Sequence, residues 1–324
     1  MNNLDLRVCL TEECNFNCKY CRPGGEGIFS NNKMLEEYEL YRIIENLTEF
    51  GVKSVRFTGG EPLLRKNFIQ IAKCVSDISN IESVSLVTNG SLLSEEMVAK
   101  IREIGIKEVT VSLDTLDKSK FKGIVRVDCF DKVVNGIKLL RKYSIPTRIN
   151  TVITKSNISE VHEFIEYCNE YGINLKLLDL VNNDADYWAS EFIPLEKLRK
   201  ELSEIATMVD VKYPNSNNLG TPMDRFKIGS IDVSVKDNTI GTCYSNICNE
   251  CEHYPCQSGI VSLVLTHDGF LKLCSSSSKN SINIKPLINK DLRTIEKLKE
   301  MLNCYNNTFY KNVWYKTIDR EKVK

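Results

Sequence analysis

The chain has no surplus charge of either sign: among its 324 residues, 43 Lys and Arg offset 43 Asp and Glu. Without a basic excess to collect phosphates, neither nucleic acid nor an anionic membrane is an expected partner. Long apolar runs are missing as well. No stretch approaches the length needed to span a bilayer, and the opening Met-Asn-Asn-Leu-Asp-Leu-Arg lacks the apolar segment of a secretion signal. A reducing cytoplasm is therefore the expected compartment. What remains is a soluble, cored composition, 42% hydrophobic and 27% charged, at a length ordinary for one α/β barrel with an appendage.

Cysteine is abundant instead, at thirteen residues, in a compartment where structural disulfides are rare and metal binding is common. Three of them stand close together in Cys14-Asn15-Phe16-Asn17-Cys18-Lys19-Tyr20-Cys21. This spacing places three thiolates on one loop, and thiolates are the preferred ligands of a [4Fe–4S] cluster. Three protein ligands leave the fourth iron open. A zinc knuckle would need a fourth Cys or His within a few residues, and the nearest histidine is His162. With Tyr20 one residue before the last cysteine, the loop resembles the signature of the radical S-adenosylmethionine (radical SAM) superfamily. The resemblance implies that Cys14, Cys18 and Cys21 hold the cluster and that its open iron binds SAM. Electron transfer then yields a 5′-deoxyadenosyl radical that abstracts hydrogen, so no protein side chain beyond the cluster-bound SAM is expected to be catalytic.

Short β-rich runs alternate with helical periodicity from residue 5 to 180. Strands are predicted at Leu6–Leu10, Val52–Phe57, Ser83–Val87, Glu108–Leu113, Thr147–Ile153 and Asn174–Leu180. Between them, stripes such as Leu40, Ile43, Ile44 and Leu47, closed by Gly51, mark helices. Six strands, each but the last followed by a helix, imply parallel crossovers and an α/β fold: a partial (β/α)6 TIM-like barrel with ligands at the carboxyl ends of its strands. The expected division is a barrel core over residues 1–185 and a smaller C-terminal region over 186–324. Linker-like stretches are Asn182–Asp186 and Tyr213–Asp224. Cys74 and Cys168, on helices among apolar residues, read as small core hydrophobes.

Polar residues cluster where those strands end. Thr58-Gly59-Gly60-Glu61-Pro62 follows the second strand, Thr88-Asn89-Gly90 the third, and Ser112-Leu113-Asp114 the fourth. Paired glycines admit close backbone approach, and a strand-end carboxylate accepts hydrogen bonds from an ammonium. Helix capping or turn formation also accounts for Asn89-Gly90. Further on, Cys248-Asn249-Glu250-Cys251 is followed by Cys256 and then, past a hairpin turning at His267-Asp268-Gly269, by Cys274. Folding back brings Cys274 toward Cys248 and Cys251, which suits a second iron–sulfur cluster or a four-cysteine zinc. Cys243 is a spare candidate ligand.

From end to end the chain resembles the GTP 3′,8-cyclases of molybdenum cofactor biosynthesis and their relatives. The residues that carry this are Leu6-Arg7 through Cys21, Arg56 through Leu63, Thr88-Asn89-Gly90, Val111 through Asp114, Arg148-Ile149-Asn150, and the late Cys-x2-Cys with Asp268-Gly269 and Cys274. The resemblance implies SAM contacts at Tyr20, Gly59, Gly60, Glu61, Asn89 and Ser112. It implies a substrate site at Arg7, Arg56, Thr88 and Arg148, and a second [4Fe–4S] cluster. A reductant such as flavodoxin or ferredoxin would be the partner.

Three departures weigh against GTP as substrate. The cyclases carry an Arg-x-Arg pair just after the late Cys-x2-Cys, where this chain reads Glu252-His253-Tyr254-Pro255-Cys256. The interval from Cys251 to Cys274 is longer and includes Cys256, an extra ligand that would close the second cluster and remove the iron site where guanine would bind. The cyclases end in Gly-Gly, whereas this chain ends Arg320-Glu321-Lys322-Val323-Lys324. Missing guanidiniums remove bidentate partners for an anion. The sequence therefore ranks first a radical SAM enzyme acting on another substrate, a peptide or small metabolite, its second cluster assisting electron transfer or anchoring substrate. GTP 3′,8-cyclase activity is the alternative, and a non-catalytic metal or electron carrier comes third.

Overall fold

The computed structural model describes residues 3–21, 33–183, 185–212, 221–274, 277 and 281–311. Its framework is β1 (Leu4–Cys9), α1 (Glu37–Thr48), β2 (Val52–Thr58), α2 (Phe68–Ser76), β3 (Ser83–Thr88), α3 (Glu95–Ile104), β4 (Glu108–Ser112), α4 (Lys118–Val125), α5 (Phe130–Lys142), β5 (Thr147–Ile153), α6 (Val161–Tyr171) and β6 (Asn174–Asp179). After it come α7 (Ala185–Glu191), α8 (Glu196–Ile205), β7 (Met208–Lys212), β8 (Met223–Ile228), β9 (Ile231–Lys236), β10 (Thr242–Tyr244), β11 (Leu263–Leu265), β12 (Phe270–Lys272), β13 (Ser281–Asn283), α9 (Leu292–Asn306) and β14 (Phe309–Lys311).

The helices form where an apolar stripe meets explicit stop signals. In α1 the stripe Leu40, Ile43, Ile44 and Leu47 is buried, and Gly51 leaves the helix at φ 96°. Ser94 caps α3 by accepting from Met97 N–H at 3.1 Å, and Gly105 ends it at φ 81°, where a side chain would be strained. Between β4 and β5 stand two helices rather than the one expected. The extra one, α4, buries two residues, Phe121 and Val125, too thin a stripe to register as a period.

All six predicted strands are present and pair in parallel in chain order. Burial alternates along them: one face packs fully on the helices while the other is half-buried, as on β3, β5 and β6. The sheet does not stop at six. The stretch after residue 185 adds strands to both of its edges, giving the order β13-β12-β11-β1-β2-β3-β4-β5-β6-β9-β8-β7. The extension runs parallel where β9 meets β6 and where β11 meets β1. A second sheet joins β10 to β14. The main hydrophobic cluster likewise runs through both parts, from Leu6 and Phe57 to Phe226, Leu263 and Leu298. The C-terminal region thus extends the barrel instead of building a core of its own.

Of the linkers, Asn182–Asp186 runs into α7 and residues 213–220 lie outside the described residues. Cys168 is fully buried, as expected, but Cys74 is only half-buried, its thiol 3.5 Å from Glu37 Oε1 on the outer side of α1 and α2. Among the described residues no helix is long and apolar enough to cross a membrane.

Candidate active site

Beyond β1 the chain enters the cysteine loop, which is docked from beneath. Phe16 is buried edge-on against Phe121 of α4, centroids 6.0 Å apart. The N–H groups of Asn17 and Lys19 donate to the carbonyls of Val125 and Ile124, at 3.1 and 3.2 Å. The residues between these anchors turn outward, so Cys14 and Cys21 are exposed and Cys18 is half-buried. Phe16 N–H donates to Cys14 Sγ at 3.4 Å. Burial pushes the Cys18 thiol up strongly, and Asp114, Cys21 and Cys14 add to it; burial also raises Cys14.

Among the described residues no three His, Cys, Asp or Glu side chains are grouped so as to hold a single metal ion. The three thiols nevertheless lie in one another's field on one loop, one of them already receiving a backbone N–H. Soft donors spread in this way fit an iron–sulfur cube, which takes each thiolate on a different iron.

The Gly-Gly turn after β2 packs on the entry to this loop. Gly60 N–H donates to Thr11 O and Glu61 N–H to Glu13 O, both at 2.7 Å. A Cβ on Gly60 would fall 2.2 Å from Glu13 O, and one on Gly59 2.4 Å from Thr11 O. The glycines are required by the approach of two backbone segments. Glu61 is fully buried; its oxygens accept from Thr88 Oγ1 (2.7 Å), Asn89 N–H (2.7 Å) and Leu63 N–H (3.0 Å). Thr88, itself 2% exposed, also accepts from Gly90 N–H at 3.0 Å. Its hydroxyl thus bonds within the turn. Asn89 reaches the cysteine loop directly, with Nδ2 2.8 Å from Asn15 Oδ1 and 4.0 Å from Cys14 Sγ. Ser112 is half-buried at the end of β4, in register with Asn150.

Tyr20 donates its hydroxyl to Asp114 Oδ2 at 2.5 Å, and Val152 N–H donates to Asp114 Oδ1 at 2.8 Å. Burial raises the Asp114 carboxyl to about 6, outweighing both bonds. A carboxyl raised by folding stabilises the protein below its unfolded value, and that stability is lost as pH climbs through about 6. At 1.36 kcal/mol per unit the effect is about 3 kcal/mol. Asp114→Asn should flatten the fall in urea midpoint between pH 4 and 6.5; an unchanged slope would contradict this assignment.

Inside the barrel the half-buried faces carry cations. Arg7 and Arg56 sit side by side on β1 and β2, Arg148 on β5, Lys176 on β6 and Lys236 on β9. Burial lowers Arg56, and Arg7 lowers it further. Lys176 is held well below the usual lysine range by burial and then by Arg148, Arg56, Lys236 and Arg7. Since β6 and β1 are separated by four strands, Lys176 feels Arg7 only across a shared interior. Acids are fewer there: Glu108 pairs with Arg148 at 2.8 Å, Asp5 acts on Arg56, and Asp179 acts on Lys236. Sequence reasoning found the three arginines and missed both lysines. The available signal was a lone lysine within each of the apolar strands Leu175–Leu178 and Val233–Lys236.

The late cysteines converge at the edge of this interior. Cys248, Cys251, Cys256 and Cys274 are all half-buried. After burial, it is Cys256, Cys274 and Cys251 that raise Cys248, to about 11. Cys243, the spare candidate, is 2% exposed on β10 and packs in the hydrophobic core. The hairpin is as expected, β11 pairing antiparallel with β12.

Comparison with known proteins agrees with this geometry. Residues 8–168 match the Radical SAM superfamily. A probable GTP 3′,8-cyclase of Sulfurisphaera tokodaii is 32% identical over 93% of this chain and 90% of its own length. The chain belongs to the radical SAM superfamily. It is a radical SAM enzyme, a class that works with SAM and a [4Fe–4S] cluster, and the reading as a mere electron carrier is set aside. A GTP 3′,8-cyclase of Clostridium acetobutylicum is 27% identical over 99% of the chain and 95% of its own. Among solved structures, Streptococcus suis SuiB bound to S-adenosylmethionine shares the fold at a TM-score of 0.64 and 16% identity, over 91% of this chain and 66% of SuiB. The anSMEcpe structure with bound AdoMet does so at 0.59 and 18%, over 94% and 81%.

Proposed function

We propose that this enzyme is a GTP 3′,8-cyclase, the activity that the sequence placed second. The observation that carries the proposal is the barrel lining of Arg7, Arg56, Arg148, Lys176 and Lys236. Five cations facing one interior repel one another and are costly to desolvate, so a highly charged anion is the ligand that repays them. A nucleoside triphosphate meets that need and an uncharged peptide segment does not. The nearly full-length relatives named as cyclases support the same choice, and the reading that ranked a peptide or another small metabolite first gives way to it.

Cys14, Cys18 and Cys21 would hold the SAM-binding cluster, and Cys248, Cys251 and Cys274 the second one. When bound, cluster and SAM supply reductive cleavage and hydrogen abstraction. The chain's own residues do the rest. The cations hold the polyphosphate and thereby fix the ribose, and a bound anion offsets the repulsion that lowers Lys176. Asn89 and the Tyr20–Asp114 bond brace the cysteine loop against the strand ends, while Glu61 and Thr88 hold the turn behind it. A cytoplasmic flavodoxin or ferredoxin would be the reductant.

Reconstituted enzyme given SAM, dithionite and GTP should form 5′-deoxyadenosine and a cyclised guanine nucleotide together. Deoxyadenosine formation indifferent to GTP, with no cyclised product, would refute GTP as substrate. It would then favour a second reading, another phosphorylated metabolite, which the absence of arginine from Glu252 to Cys256 motivates.

A further inference from the structure

Cys256 is set up differently from a bystander thiol. Gly259 N–H donates to its Sγ at 3.4 Å, and Ser258 N–H also bonds the sulfur. Successive backbone N–H groups aimed at one atom form an anion-binding nest, a device common at iron–sulfur sites. The turn that aims them needs Gly259, whose φ is +59° and where a Cβ would meet Thr242 Oγ1 at 2.2 Å. Cys248 has the same kind of support, a backbone N–H from Ser245 at 3.5 Å, as does Cys14 in the early loop. Cys74, by contrast, donates its thiol to a carboxylate.

The loop bearing Cys256 is also locked in place. Ile260 N–H donates to Cys243 O at 2.9 Å, Tyr244 Oη donates to Cys256 O at 2.7 Å, and the Tyr244 ring meets Tyr254 edge-on at 5.0 Å. Next in the chain, Gln257 bonds Leu180 O at 2.9 Å and Asn182 N–H at 2.8 Å, at the end of β6. Cys251 and Cys274 act on the Cys256 thiol, and Cys256 acts on Lys236 of the cationic lining. Cys256 thus lies near both the late cysteines and that lining.

We infer that Cys256 is the fourth protein ligand of the second cluster, alongside Cys248, Cys251 and Cys274, so that this cluster has no open iron for substrate. The inference rests on the reading that the late cysteines hold a [4Fe–4S] cluster. On this basis the nucleotide would be held by the cationic lining, without an iron contact.

The test isolates the late site in a Cys14→Ala/Cys18→Ala/Cys21→Ala variant, reconstituted anaerobically. It should retain about four iron and four sulfide per chain. Oxidation with ferricyanide should give no [3Fe–4S] electron paramagnetic resonance signal, because no iron is left without a thiolate, and GTP should not alter the spectrum of the reduced cluster. Adding Cys256→Ala, or Cys256→Ser should the first not fold, should make the [3Fe–4S] signal appear on oxidation. A strong [3Fe–4S] signal, or a GTP-induced spectral change, while Cys256 is present would overturn the closed cluster and leave the second cluster intact. An iron-free variant that keeps its fold would instead overturn the second cluster itself.

Discussion

Alanine at Cys14, Cys18 and Cys21 together should reduce 5′-deoxyadenosine formation to the background of SAM and dithionite alone. The loss should be on the order of 10^3-fold or more, as when residues acting as one unit are dismantled. The variant should still fold, because what docks the loop is not its thiols. Phe16 plugs against Phe121, the backbone bonds of Asn17 and Lys19 reach the end of α4, and Cys14 and Cys21 are exposed. Chromatography of the reaction, with a urea midpoint as the folding control, reads both halves. SAM cleavage retained in a folded triple variant would remove the cysteine loop from the chemistry.

Lys176→Met should have the second largest effect, with opposite signs for binding and stability. Methionine matches the length of the lysine stem and removes a charge whose strongest charged neighbours are all cations. Free of that repulsion and desolvation, the ligand-free variant should be more stable by about 1–2 kcal/mol. The polyphosphate loses a charge-assisted contact worth about 2–3 kcal/mol, roughly 30- to 150-fold in affinity. Equilibrium dialysis with GTP and a denaturation midpoint together test the prediction. Weaker binding with lower stability would mean that the lysine supports the fold rather than the ligand. A gain in stability traded against substrate binding is the usual signature of a residue retained for function.

Much of this was legible in one dimension. The cysteine loop, the Gly-Gly turn and the parallel strands each announce themselves within a few residues, because spacing on a loop and period along a strand are local properties. Lys176 and Lys236 were not legible. A lysine in an apolar strand reads as an interruption until the sheet curves, and only then do strands far apart in order place their half-buried faces toward one space. The bond between Thr88 and Glu61 was not legible either, because it joins two strand ends that only the sheet brings together. Helix α4 escaped notice because it buries a single pair of side chains.

The sequence by itself determined the chemistry: thiolate spacing selects an iron–sulfur cluster, and alternating β and α periods select a parallel sheet with its ligands at one end. Tertiary structure alone decided which side chains surround that chemistry and how the sheet is extended. Pairing of β11 with β1 and of β9 with β6 carries residues more than fifty positions past the six-stranded core back onto its edges. Hydrogen bonds between strand edges act in space rather than along the chain, so no local pattern reveals that Cys256 ends beside Lys236, or that five cations share one interior.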